Sequence, residues 1–209
     1  MTAAKPTLFG RSSSHFTRVT RVFAAELGVE YGFEVVRDLA SRDPAAYGGH
    51  PALRVPCLQT TDGVWFGALN ICRELTRRST REVRVVWPEA LERPAAANAQ
   101  ELTLQAMANE VTLITSGLGG LTGPSAFRLK VQDGLERSLV WLDRNLDEAL
   151  ASLPAGPRAS YLEVTLYCLL THLDFRGVAS TAPYARLTAF AEQYGARPSA
   201  EQTPYRFDT

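Results

Sequence analysis

A chain of 209 residues, 45% hydrophobic and 21% charged, is globular in composition and long enough for one large domain or two small ones. Its 22 basic and 22 acidic side chains cancel, so no global field recruits nucleic acid or an anionic membrane, and neither is expected as a partner. No run approaches the roughly 20 apolar residues that span a bilayer, and MTAAKPTLFG lacks a secretory apolar region, so the expected location is cytoplasmic.

Thr7-Leu8-Phe9 reads as a short strand ending at Gly10, and Ser12, Ser13 and Ser14 offer caps for a following helix. In that helix Phe16, Val19, Phe23 and Leu27 recur at spacings of three and four, Arg18, Arg21 and Glu26 are left for the wet face, and Gly28 stops it. Tyr31 to Leu39 is a second strand, and Asp43-Pro44 with Gly48-Gly49 mark a loop. Val55 to Gln59 and Val64 to Phe66 are the third and fourth strands, joined through an Asp62-Gly63 hairpin signal. From Ala68, the residues Leu69, Ile71, Cys72 and Leu75 share one helical face, and Arg77, Arg78 and Arg81 crowd the helix end.

Strand signals stop after about Pro88. One helix is predicted from Ala95 to Ser116 and another from Phe127 to Leu153, interrupted by the stretch from Gly117 to Pro124. Ser160-x-x-Glu163 is a capping box ahead of LEVTLYCLLTHL, Gly177 ends that helix, and a last helix runs from Tyr184 to Tyr194. The tail RPSAEQTPYRFDT reads as irregular and polar. The pattern predicts a small mixed-sheet domain (1–82), a linker (83–94) and an all-helical domain (95–209).

Val55-Pro56 opens an apolar strand with a residue that cannot donate to a ladder. It either protects a sheet edge or, as a cis peptide, turns the N–H and C=O of Val55 outward for an extended ligand to pair with. Cys57, Cys72 and Cys168 are odd in number and scattered, which fits reduced, buried thiols and neither a disulfide framework nor a zinc site. His15, His50 and His172 have no ligand spacing, so no metal is expected. GLGGLTGP (117–124) follows a helix, not a strand, and reads as a connection and not a phosphate loop.

Taken together, Ser14-His15-Phe16-Thr17-Arg18, the Arg54 to Leu58 proline strand, the Asp-Gly hairpin, Ser160 to Glu163 and the helical second half resemble the glutathione transferase family over nearly the whole chain. The resemblance implies a thioredoxin-like α/β domain followed by an all-α bundle, a homodimer, and glutathione as co-substrate. It places Ser14 (or Ser13, if the register slips by one) where serine-type members hydrogen-bond the glutathione sulfur. A hydroxyl donor at a helix N-terminus favours thiolate over thiol. It also places Arg54 at the glycyl carboxylate, Val55 and Pro56 at the cysteinyl backbone, and Gly67 and Ala68 at the γ-glutamyl group.

At that last position the family carries an acid or Gln followed by Ser or Thr. Loss of the hydroxyl removes a hydrogen bond to a charged group, worth roughly 1.5–3 kcal/mol or on the order of 10- to 100-fold in affinity. The amides of Ala68 and Leu69 remain for a carboxylate, and Asn70 is the local substitute side chain. Phe16, Thr112, Thr115 and Ser116, with the tail near Tyr205 and Phe207, are candidates for an acceptor pocket or for ordinary packing. Two functions follow: transfer of glutathione thiolate to a small electrophile, or a non-catalytic binding or assembly module on the same scaffold. A different thiol or peptide ligand in the same groove is a third.

Overall fold

The computed structural model describes residues 4–120, 123–156 and 158–208. They form two compact units, Met1–Arg84 with Ala196–Thr209, and Val85–Gly195.

In the first unit, β1 (Thr7–Gly10), α1 (His15–Leu27) and β2 (Gly32–Val35) make a strand-helix-strand start in which β1 and β2 run parallel. β3 (Cys57–Thr60) and β4 (Gly63–Phe66) follow as an antiparallel hairpin, and α2 (Ala68–Arg78) closes the run. The sheet order is β2-β1-β3-β4, with β3 antiparallel to β1. Val19, Val22, Phe23 and Leu27 of α1, Ile71, Cys72 and Leu75 of α2, and Leu8 and Leu58 of the sheet are buried. Each large side chain among them contributes about 1.5–3 kcal/mol of burial.

Several boundaries differ from the sequence reading for local reasons. β2 ends at Val35 instead of Leu39. β3 starts at Cys57 because Pro56 has no N–H to give the ladder. The hairpin loop is Thr61-Asp62, with Gly63 already paired to Thr60; the Thr60 hydroxyl accepts from the Asp62 amide and donates to the Gly63 carbonyl. The loop at Asp43-Pro44 winds into a 3-10 turn, Pro44–Tyr47, capped by the Asp43 carboxylate.

A larger correction concerns the wet face of α1. Arg18 and Arg21 are buried, Arg18 by the tail and Arg21 against Tyr31 and Phe33. Instead of remaining irregular, the tail forms a short helix at Pro198–Glu201, the last in the chain, with Ser199, Ala200 and Thr203 buried. Arg18 donates to the Ala200 carbonyl (3.3 Å) and lies 4.3 Å over the Tyr205 ring. Glu26 accepts from the Ser199 hydroxyl at 2.7 Å, and Arg21 stacks over Phe33.

The second unit holds β5 (Val85–Val86), α3 (Pro94–Leu118), α4 (Ala126–Ala151), β6 (Ala159–Ser160), α5 (Tyr161–Arg176) and α6 (Ala185–Gly195). It is not purely helical: β5 and β6 pair in parallel, too short to leave a periodic signal. α5 is the buried centre. Ser160 caps it by accepting from the Glu163 amide, and the Glu163 carboxylate holds Arg158 at 3.1 Å. Gln100 to Thr165 (3.0 Å) and Glu110 to His172 (2.7 Å) tie α3 to α5. Within the glycine run, Leu121 and Thr122 lie outside the described residues. No helix among the described residues is long and apolar enough to cross a membrane.

Candidate functional site

Strand register decides which loops share an end of the sheet. Phe9 pairs with Cys57, and Cys57 with Phe66, so the exit of β1, the entry of β3 and the exit of β4 coincide. Three predicted segments therefore leave from one edge: Ser12 to Ser14, Arg54 to Pro56, and Gly67 to Asn70.

Ser14 is the N-cap of α1. It is half-buried with extended backbone, and its Oγ accepts from the Thr17 amide at 3.3 Å. A hydroxyl carries one proton and two acceptor lobes, so accepting this bond leaves its proton to donate. Ser13 is buried. Ser12 is buried too, and its amide donates to the Asp208 carboxylate at 2.7 Å. Asp208 is a residue the sequence reading missed, because nothing local links it to a loop 196 positions earlier.

The Val55–Pro56 peptide is cis, Pro56 is buried and Arg54 is exposed. Beside them His50, set aside in the sequence for lack of ligand spacing, is buried against Phe66 with ring centroids 4.5 Å apart. Its Nδ1 accepts from the Ala52 amide, which puts the proton of the neutral ring on Nε2. Burial, and then the Arg54 charge, lower its pKa. Cys57 donates to the Gly48 carbonyl, and burial pushes its thiol up to about 11, so it is a packed neutral thiol.

The start of α2 is different. Gly67 is exposed at φ 79°, a region that favours glycine, and caps the helix with no side-chain bond. Ala68 is buried. Asn70 is exposed and donates to the Phe66 carbonyl at 3.2 Å, one turn back, so its amide serves the chain itself. Further along, Glu74 is buried between Arg77 (2.8 Å) and Arg78 (2.6 Å), and Arg78 also reaches Asp62.

The sequence model described as "Glutathione S-transferase, N-terminal domain" matches residues 13–78, a span that contains the three edge segments apart from Ser12. Among solved structures, a glutathione S-transferase from Methylobacillus flagellatus with glutathione bound is 20% identical with a TM-score of 0.78, over 97% of this chain and 100% of that one. A glutathione transferase family member from Pseudomonas fluorescens with bound glutathione is 20% identical at 0.77, again over 97% and 100%. Glutathione transferase E6 from Drosophila melanogaster is 18% identical at 0.75, over 95% and 90%. The fold is that of the glutathione transferases. No curated protein matches the sequence.

On the glutathione transferase fold, Phe16 is a half-buried residue of α1 in the first unit, whereas Thr112, Thr115 and Ser116 lie on α3 in the second. Their hydroxyls donate to the carbonyls of Ala108, Val111 and Leu113, and Ser116 also accepts from Arg128 at 2.8 Å. These are back-bonds of a helix to itself and leave little donor capacity for a ligand.

Proposed function

We propose that this chain is a serine-type glutathione S-transferase that transfers glutathione thiolate to a small electrophile. The observation that carries the reading is the Ser14 hydroxyl, held as the N-cap of α1 on the same sheet edge as Val55-Pro56 and Gly67-Ala68. In this reading the Ser14 proton hydrogen-bonds the glutathione sulfur, and the partial positive charge of the helix start favours the thiolate. The thiol proton leaves to solvent. The sulfur lone pair then forms a C–S bond at the electrophilic carbon while the leaving group departs with its bonding electrons.

Val55 and Pro56 take the cysteinyl backbone, Arg54 the glycyl carboxylate through a charge-assisted bond, and the first amides of α2, after Gly67, the γ-glutamyl carboxylate. Phe16 of α1 is the acceptor-side residue of the same reading, whereas the hydroxyls of Thr112, Thr115 and Ser116 are spent within α3. A homodimer working in the cytoplasm goes with it. With no side-chain cap at Gly67, and Asn70 turned to Phe66, binding rests on backbone donors at this end and is weak.

Calorimetry with millimolar glutathione tests the reading. A saturable heat with a matching rise in melting temperature is expected. No heat and no thermal shift would leave a scaffold that does not take the thiol.

A further inference from the structure

The buried Asp208 carboxylate on the Ser12 amide has no part in the reaction above. Its side chain is 7% exposed, and the Oδ2 to nitrogen distance is 2.7 Å, two residues before Ser14. The tail that brings it there is fastened at Glu26–Ser199, at Arg18–Ala200 and by Arg18 over Tyr205, so the carboxylate is delivered by a built strap. α1 has no acidic residue in its own first turn; the tail supplies the anion from outside the helix.

We propose that Asp208 tunes the proposed thiolate site, holding a negative charge and one engaged backbone donor beside Ser14 so that a bound thiol ionises less readily than the helix start alone would allow. The inference rests on the glutathione-transfer reading. Two anions at one helix end oppose each other, and a carboxylate already on the loop raises the cost of a second charge. The other charged or titratable groups on the packed elements include Arg11, His15, Arg18 and Arg206, with Arg21 and Glu26 further along α1 and Arg197, Glu201 and Tyr205 elsewhere on the tail. Arg11 donates to the Arg37 carbonyl and Arg18 to Ala200, while Arg206, 63% exposed, stands 3.9 Å from the Asp208 Oδ1 and is well screened by solvent. Release of the strap would free the amide and remove the charge together. Asp208 is thus a positioning and tuning residue, not one that touches the sulfur.

The variants D208N and D208A separate charge from tether. Thiolate absorbance of bound glutathione is followed against pH, and exchange of the Ser12 backbone amide is followed without ligand. D208N keeps an acceptor for Ser12 but no charge; its titration is expected to move to lower pH by about one unit, which is about tenfold more thiolate below the midpoint. D208A is expected to show the same shift together with faster exchange at Ser12. Binding by D208N where the parent gives no heat would support the proposal equally. Coincident titrations of parent and D208N would overturn it while leaving glutathione transfer intact, and so would unchanged Ser12 exchange in D208A. Absence of glutathione binding in all three proteins would remove the transfer reading and this proposal with it.

Discussion

α1 and α2 begin on the same edge of one sheet, yet their first turns are built in opposite ways. α1 starts on Ser14, whose hydroxyl caps the helix, with Ser12 held by a carboxylate from the tail. α2 starts on Gly67, with no side-chain cap, and its nearest amide side chain bonds its own Phe66 carbonyl. Both offer free backbone N–H groups, as every helix start does. The difference shows that one sheet can present anion-favouring backbone at two helix starts with a side-chain cap at only one of them.

The hardest blow to this asymmetry is S14A. Loss of the donor is expected to lower turnover with an aromatic electrophile by about 100-fold, and loss of the cap to lower stability by about 1 kcal/mol. Steady-state rates and denaturant melts read the two effects separately, and unchanged turnover would take Ser14 out of the mechanism. A68S works from the other side. A hydroxyl at the first position of α2 should tighten glutathione by about tenfold, the worth of a hydrogen bond to a charged group, as measured by titration calorimetry. Equal affinity would mean that the γ-glutamyl group lies elsewhere.

G67A probes the backbone instead. No atom stands within 4 Å of an added Cβ, so the cost is conformational, about 1 kcal/mol for an L residue held at a positive φ with extended ψ, read as a lowered denaturant midpoint. The smallest effect is on acid stability near α2. The pKa of His50 is lowered by burial and by Arg54, so the unfolded chain takes up the proton first. Stability from this group is complete above the unfolded histidine value of 6.5 and is lost as pH falls through it toward the lowered folded value. Comparing H50Q with the parent across that window should flatten the slope; identical slopes would assign the acid sensitivity to other groups.

Much of this arrangement was legible in the amino-acid sequence where the signal is local. Ser14 and Gly28 bracket α1, Ser160 and Gly177 bracket α5, and the Thr60 to Gly63 turn sits within a residue of the expected hairpin. Periodicity reports only whether a face is apolar, so Arg18 and Arg21 read as solvated although the tail covers Arg18, and Tyr31 and Phe33 flank Arg21. Glu74 was illegible for a related reason: its burial is satisfied by two neighbouring arginines. β5 and β6 are two residues each, below any repeat a pattern can register. Asp208 joins Ser12 across 196 positions, a pairing that only folding brings about.

The first unit is discontinuous: Met1–Arg84 is completed by Ala196–Thr209, with the whole second unit threaded between. During synthesis the early segment emerges first and must wait, with one flank of α1 uncovered, until more than half the chain has followed. Closing so long a loop carries an entropic cost that grows slowly with length, so the delay is chiefly one of order and time. A cut after Arg84 would therefore yield a fragment in which Arg18 has lost the Ala200 carbonyl and the Tyr205 ring, and Glu26 its serine partner.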